Sequence, residues 1–131
     1  MAHPNEVMIR AAFDVFGRGD LDTMQKQYWT EDIRFHVLGR GPLAGDTDGQ
    51  AESLAWFGRL AEASGGTYRA AELHDVLAND ERAVALYTAR AERDGRAYED
   101  ETVLVFRIRD GKIAEQWSYV ADQYGTDKFF S

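Results

Sequence analysis

Two Asp-Gly pairs, Asp94-Gly95 and Asp110-Gly111, constrain the fold of this chain more than any other feature. Each pair separates two runs rich in β-branched and aromatic residues, and no proline interrupts those runs. Asp-Gly between alternating runs is a strong hairpin signal, because both central residues of the turn need positive φ. Together with a third turn signal at Asn79-Asp80, the pairs predict an antiparallel meander of four strands. These strands span residues 68–78, 82–93, 96–109 and 112–120.

The first half of the chain is predicted to be mainly helical. Apolar residues at helical spacing predict a helix over residues 5–16, a short second helix that starts after Asp20, and a third helix over residues 50–63. Residues 30–32 are expected to turn the chain into a brief strand over residues 33–38. The tail, residues 121–131, carries three aromatic residues and is expected to pack on the body of the protein or on a partner.

This order of elements predicts one α+β domain over residues 1–131. Three N-terminal helices would pack on a strongly curved, mainly antiparallel sheet. Large residues stand on both faces of the strands, such as Tyr87 beside Leu86 and Trp117 beside Gln116. One small domain cannot cover both faces, so we expect a homodimer formed through the outer face of the sheet.

Composition narrows the possible partners and cofactors. The net charge of −8 argues against nucleic acid and against anionic membranes, and favours a role in solubility. There is no cysteine, no apolar run of roughly 20 residues and no signal-peptide pattern, so we expect a cytoplasmic protein. The three histidines show no metal-ligand spacing, and the glycine-rich segment 39–49 lacks the phosphate-binding patterns. We therefore predict neither a metal nor a cofactor.

Several local strings resemble the nuclear transport factor 2-like superfamily, in particular its SnoaL-like and ketosteroid isomerase-like members. The strings are Gly19-Asp20-Leu21-Asp22, Trp29-Thr-Glu-Asp-Ile-Arg-Phe35, Gly41-Pro-Leu-Ala-Gly45, and Phe106-Arg-Ile-Arg-Asp-Gly-Lys-Ile-Ala-Glu-Gln-Trp117 followed by Asp122. The resemblance covers nearly the whole chain. It implies a cone-shaped fold with a deep, mostly apolar pocket between the helices and the sheet, and a dimer that commonly forms through the outer sheet face.

The resemblance does not extend to the acid–base groups of ketosteroid isomerase, an enzyme that uses an Asp base with a Tyr and a protonated Asp as oxyanion hole. Counting from the shared strings puts the oxyanion Tyr at about Ala12, the base at about Val37 and the oxyanion Asp at about Leu104. None of these residues carries the required group. An isomerase of that mechanism is therefore not expected.

SnoaL-like cyclases use an Asp near the end of the last strand with a His close by, and the resemblance makes Asp122 and His36 the candidate catalytic residues. A carboxylate near apolar walls would have a raised pKa, as a base that works near neutrality requires. Asp122 could equally be a solvated residue at the strand exit. His36 alternates with Phe35 and Val37, so it faces either the pocket as an acid–base group or the outer surface.

The sequence leaves two functions open. One is a cofactor-free enzyme that carries out cyclisation, isomerisation or hydrolysis on a hydrophobic, ring-bearing small molecule; the other is a protein that binds such a molecule without turnover. In either case, residues of the third helix and of the last three strands are expected to line the pocket. These residues are Trp56, Phe57, Leu60, Tyr87, Leu104, Gln116, Trp117 and Tyr119.

Overall fold

The computed structural model describes residues 2–131 and confirms the predicted α+β fold. Four helical segments pack against one six-stranded sheet. The helical segments are α1 (Pro4–Gly17), α2 (Leu21–Thr23, continued by the π-helical turn Met24–Tyr28), α3 (Gly49–Ser64) and α4 (Gln123–Phe130). The strands are β1 (Trp29–Val37), β2 (Gly45–Asp46), β3 (Arg69–Ala78), β4 (Arg82–Arg93), β5 (Arg96–Arg109) and β6 (Lys112–Val120).

The sheet has the order β2-β1-β6-β5-β4-β3 and is curled but not closed. Strands β1 and β6 pair in parallel, whereas every other neighbouring pair is antiparallel. The bounds of β4, β5 and β6 are those that the turn signals predict. Both Asp-Gly pairs have positive φ at both residues: 52° and 77° at Asp94-Gly95, and 53° and 74° at Asp110-Gly111. Such angles belong to a type I′ hairpin turn.

The first strand starts earlier than predicted. Residues 30–32 were expected to turn, but they lie within β1, which begins at Trp29. The register between β1 and β6 shifts after Trp29, which pairs with Ile113, so this stretch is an irregular part of the strand. Its polar side chains bond to each other and to the end of β5, since Thr30 and Arg109 both donate to the Asp32 carboxylate. Residues 30–32 therefore have the polar composition of a turn although they form part of a strand.

The C-terminal tail adds a fourth helix, α4, that the sequence did not predict. The Asp122 side chain caps this helix, because its Oδ1 accepts a hydrogen bond of 2.9 Å from Gly125 N. Phe129 and Phe130 are buried, whereas Tyr124 is 79% exposed. The tail thus packs on the body of the chain through two of its three aromatic residues.

The buried apolar residues form two clusters. One gathers around α1 and β1, with Ile9, Ile33 and Phe35 nearly inaccessible, and the other gathers Tyr87 and Tyr98 against α4. Four partly buried residues that touch both clusters also line a cavity between the helices and the sheet, and they are Phe13, Trp56, Phe57 and Leu104. In this part of the chain, no helix has the length and apolarity needed to cross a membrane.

The hairpin turn at Asp110-Gly111 gives a direct test of the fold. Replacing Gly111 by alanine (G111A) should lower the free energy of unfolding by about 1–2 kcal/mol, because a Cβ is disfavoured at its φ of 74°. No atom lies within 4 Å of that Cβ, so a clash would not contribute. Urea denaturation measures the change.

The control is G58A, at an exposed position inside α3 where a Cβ also meets nothing within 4 Å. This change should stabilise the protein by roughly 0.5–1 kcal/mol, because alanine favours a helix over glycine. A G111A variant as stable as the parent would contradict the turn type.

Candidate functional site

The candidate site is a cavity of about 140 Å³ that lies between the inner face of the sheet and the helices and is partly open to solvent. One wall is aromatic, because α1 and α3 both direct their apolar faces toward the sheet. Trp29 stacks on Phe57 with ring centroids 5.9 Å apart, and Phe57 contacts both Phe16 and Trp56 edge-on or at a tilt. These ring contacts make one continuous aromatic surface along this side of the cavity.

The second wall comes from the inner face of strands β4, β5 and β6. Side chains alternate between the two faces of a strand, so the cavity-lining residues of each strand share one alternation phase. On β5 these residues are Tyr98, Thr102, Leu104 and Phe106, and on β6 they are Gln116, Ser118 and Val120. The sheet therefore contributes most of the polar atoms of the cavity.

A third wall is made by α4 and the segment 38–44, which are linked by hydrogen bonds. The Asp127 carboxylate accepts from the backbone N–H of Arg40 at 2.9 Å and from Gln123 Nε2 at 3.0 Å. The hydrogen bond from the Arg40 N–H contributes most to holding the pKa of Asp127 below its usual range, and the other donors lower it further. Trp56 Nε1 donates to the carbonyl oxygen of Leu43 at 2.9 Å, which fixes the segment to α3.

Hydroxyl groups are grouped at one end of the cavity. Tyr68 and Tyr87 share a hydrogen bond of 2.8 Å between their hydroxyls. Burial raises the pKa of Tyr68 well above its usual value, and it raises the pKa of Tyr87 to about 12 against the opposing effect of the Tyr68 and Thr102 hydroxyls. Both phenols are therefore neutral near pH 7 and can donate or accept hydrogen bonds.

The Thr102 hydroxyl is buried and differs from its neighbours. It lies close enough to the Tyr87 hydroxyl to influence that group's pKa, yet within residues 2–131 no partner completes a hydrogen bond of normal geometry to Thr102 Oγ1. A buried polar atom without a partner is costly and needs an explanation. The Thr102 hydroxyl is thus the least satisfied polar group beside the cavity.

Six of the eight residues predicted to line a pocket do line this cavity, and they are Trp56, Phe57, Leu60, Tyr87, Leu104 and Gln116. Trp117 and Tyr119 lie on the outer face of β6 instead, where Tyr119 is 42% exposed. They alternate with Gln116 and Ser118, which face the cavity, so they cannot face it as well. The expectation for these two aromatic residues is corrected accordingly.

Neither predicted acid–base residue lies in the cavity. His36 is on the outer face, because it alternates with Phe35 and Val37, and its ring stacks on Trp117 at 5.2 Å. Asp122 is exposed, and its carboxylate is used to cap α4. Among the described residues, Asp127 is the one carboxylate that lines the cavity.

His36 instead belongs to an ionic cluster on the outer face of the sheet. Its Nδ1 lies 2.9 Å from Asp46 Oδ1 and its Nε2 lies 2.6 Å from Glu115 Oε2, while Arg107 Nε donates to Glu115 Oε1 at 3.0 Å. Burial opposes the charged form of His36, but the bonds to both carboxylates outweigh it and raise its pKa. Burial would likewise raise the pKa of Glu115, yet the bonds from His36 and Arg107 lower it overall.

Sequence reasoning missed Tyr68, Tyr98, Phe13, Phe16 and Thr126, which all line the cavity. A signal for Tyr98 was present, since it has the same alternation phase on β5 as Leu104. Thr126 had no comparable signal, because the helix that carries it was not predicted.

Comparison with known proteins agrees with the fold. The sequence model of the SnoaL-like domain matches residues 9–116. An uncharacterised protein of Mycobacterium tuberculosis is 31% identical over 125 residues, which cover 95% of this chain and 94% of that protein.

Solved structures give the same result. Bal32a, from a soil-derived mobile gene cassette, superposes with a TM-score of 0.90 at 29% identity, over 98% of this chain and 97% of its own. A candidate polyketide cyclase of Xanthomonas campestris superposes with a TM-score of 0.74 at 24% identity, over 98% and 97% of the two chains. At that identity, the second likeness concerns the fold alone.

The outer cluster predicts how stability depends on pH. The raised pKa of His36 means that its stabilising effect is fully present below the unfolded pKa of about 6.5, and is lost as the pH rises through the folded pKa. Replacing His36 by asparagine (H36N) should therefore reduce the free energy of unfolding more at pH 6 than at pH 8.5. Urea denaturation at both pH values measures this.

The variant E115Q provides the matched test, because it removes a carboxylate partner of the imidazole. In an E115Q background, the difference between the H36N losses at the two pH values should shrink. Equal losses at pH 6 and pH 8.5 in the parent protein would show that the imidazole charge does not contribute.

Proposed function

The chain belongs to the SnoaL-like family, and from that premise we propose that it binds a small, uncharged, ring-bearing molecule in the cavity between its helices and its sheet. The observation that supports this most strongly is the wall of interlocked aromatic rings, which faces hydroxyl and amide groups on the opposite sheet wall. Apolar cavities with a few convergent polar groups are the usual form of small-molecule sites.

The volume of the cavity limits the size of the ligand. An apolar protein cavity of about 150 Å³ is able to hold benzene, and this cavity measures about 140 Å³. A single six-membered ring therefore fits without displacement of the walls. A flat polycyclic ligand exceeds this volume and would have to extend through the open side of the cavity.

The charges around the cavity favour a neutral ligand. Asp127 contributes a negative charge that is stabilised by the hydrogen bonds it accepts. The phenol groups of Tyr68, Tyr87 and Tyr98 are uncharged near pH 7 because burial raises their pKa values. No lysine, arginine or histidine side chain of residues 2–131 lines the cavity. An anionic ligand would thus be desolvated beside a carboxylate without a compensating cation, which is unfavourable.

We propose binding rather than acid–base turnover because of the positions of the expected bases. His36 and Asp122 both have other partners outside the cavity. A general base must come within hydrogen-bond reach of the proton that it abstracts, directly or through one water. The cyclase-like alternative would need a different base, for which the Asp127 carboxylate at the third wall is the nearest candidate.

Filling the cavity tests the proposal. The side chain of Ser118 lines the cavity, so a phenylalanine at this position (S118F) would occupy the space of the ligand ring. Toluene should bind to the parent protein and raise its melting temperature, since a ligand of the native state stabilises it. S118F should bind toluene at least tenfold more weakly, as measured by calorimetry.

The control is S131F, which adds the same ring at the exposed C-terminal residue and should leave toluene binding unchanged. If benzene, toluene and indole all fail to bind to the parent protein, the cavity is not a site for small apolar rings. Equal toluene affinity in S118F and S131F would place any binding elsewhere.

We further propose that two copies associate through the outer face of the sheet. Apolar residues form two rows across the strands on this face, and several of them are partly exposed. The first row is Leu77, Val84, Val105 and Trp117; the second is Leu86, Val103 and Tyr119. Exposed apolar patches of this kind are typical of protein interfaces.

The charges on the same face favour a second copy of this chain as the partner. The outer residues of β5 are acidic at one end, with Glu99 and Glu101, apolar in the middle, and basic at Arg107. A twofold axis that lies in the interface, parallel to the sheet and at right angles to β5, would bring the acidic end of one copy to the basic end of the other. The surface is therefore self-complementary, as an isologous dimer requires.

Light scattering tests the dimer, because a monomer has a mass of 14.8 kDa. Replacing Val103 by glutamate (V103E) puts a charge in the middle of the apolar rows and should weaken dimerisation by about 100-fold, since an unpaired buried charge costs several kcal/mol. V7E is the control, because Val7 lies on α1 and is 56% exposed. A monomeric parent protein at micromolar concentration would contradict this proposal.

A further inference from the structure

Hydrogen bonds link two side chains of the cavity wall to a buried carboxylate. Tyr98 and Thr126 both line the cavity, and their hydroxyl oxygens lie 2.8 Å apart. Thr126 Oγ1 lies 3.0 Å from Asp100 Oδ2, which also accepts a hydrogen bond of 3.1 Å from Asp122 N. The side chain of Asp100 is on the inner face of β5, between Tyr98 and Thr102, and Asp100 is only 8% exposed.

The direction of these hydrogen bonds follows from the chemistry of the groups. An ionised carboxylate can only accept, so Thr126 must use its single proton toward Asp100. Thr126 Oγ1 then faces Tyr98 with a lone pair, and the Tyr98 hydroxyl donates to it. If Thr126 donated to Tyr98 instead, two acceptor oxygens would lie 3.0 Å apart at Asp100.

Tyr98 consequently has no proton left for the cavity. Its hydroxyl oxygen retains lone-pair capacity and can only accept from a ligand. The ring is also held in place, because its centroid lies 5.1 Å from that of Phe129 and 5.2 Å from that of Phe130. The cavity therefore presents a fixed acceptor at this position.

Other polar groups near this wall do not offer the same fixed direction. The Asp127 carboxylate can likewise only accept, but each of its oxygens already takes one hydrogen bond, from Arg40 N and from Gln123 Nε2. The Tyr68–Tyr87 pair can exchange donor and acceptor, because either hydroxyl can supply the shared proton. Among the tyrosine hydroxyls at the cavity, that of Tyr98 is thus the one whose hydrogen-bond role is determined by the protein.

We propose that Tyr98, oriented by Thr126 and Asp100, selects a ring-bearing ligand that carries a hydroxyl group, such as a phenol, over one that can only accept. This inference rests on the proposed function, since it specifies the chemistry of a ligand for the same cavity. Tyr98 is the binding residue in this arrangement, and Thr126 and Asp100 are positioning residues.

Three single-ring probes test the selection. Phenol can donate, benzonitrile can only accept, and toluene does neither, while their rings are the same. Calorimetry should show that Y98F binds phenol about tenfold more weakly than the parent protein does, the size of one net hydrogen bond of about 1.4 kcal/mol. The affinity of toluene should change less than twofold. Y124F is the matched control, because Tyr124 is 79% exposed and should affect none of the probes.

The variant T126V tests the positioning role. Without the Thr126 oxygen, the Tyr98 proton is free to turn toward the cavity, so the ratio of phenol affinity to benzonitrile affinity should fall several-fold. A merely structural weakening would reduce both affinities together and leave this ratio unchanged, which would overturn the proposal. An unchanged phenol affinity in Y98F would overturn it as well.

The outcomes separate the two proposals. If toluene binds to the parent protein while phenol shows no dependence on Tyr98, the cavity binds rings and the selection by Tyr98 is wrong. If none of the three probes binds to the parent protein, the proposed function fails and this inference fails with it.

Discussion

The register of the two long hairpins is the constraint on which the rest of the structure depends. Positive φ at Asp94-Gly95 and Asp110-Gly111 fixes where β4, β5 and β6 pair with one another. Because side chains alternate with a period of two, a slip of one residue would exchange the two faces of the sheet completely. Thr102 and Leu104 would then face outward, and Val103 would enter the cavity. The cavity, its polar groups and the outer apolar rows all follow from these two turns.

The parallel pairing of β1 with β6 determines which face of the sheet carries His36. His36 pairs with Trp117, and directly paired residues share a face of the sheet. Since Gln116 faces the cavity, Trp117 and therefore His36 must face outward. The pairing with β6 and the alternation along β1 thus agree that His36 faces outward. Once it is outside, two carboxylates and an aromatic ring surround it, which suits a charged imidazole on an ionic surface better than a cavity base.

The sequence predicted the strands more accurately than the faces of the strands. Turn chemistry is local, so the bounds of β4, β5 and β6 were correct. The face of β6 was not predictable, because the larger aromatic residues, Trp117 and Tyr119, are on the outside and the polar Gln116 and Ser118 are on the inside. Hydrophobicity alone points to the opposite assignment. Helix α4 was missed because its stability comes from two phenylalanines packed on the body, which is a tertiary effect.

The interior polar groups explain how a cavity with so little charge can still be selective. A charged group inside an apolar cavity attracts or repels strongly but recognises little beyond the sign of the charge. Here the buried carboxylate, Asp100, lies behind Thr126 and orients hydroxyl protons at the cavity wall, whereas Asp127 is the carboxylate at the cavity itself. In the proposed site, that orientation distinguishes a donor from an acceptor at one atom, and the aromatic wall selects the shape of the ring. Selectivity in such a site depends on the direction of a hydrogen bond, which the fold fixes by holding Asp100 beside the first turn of α4.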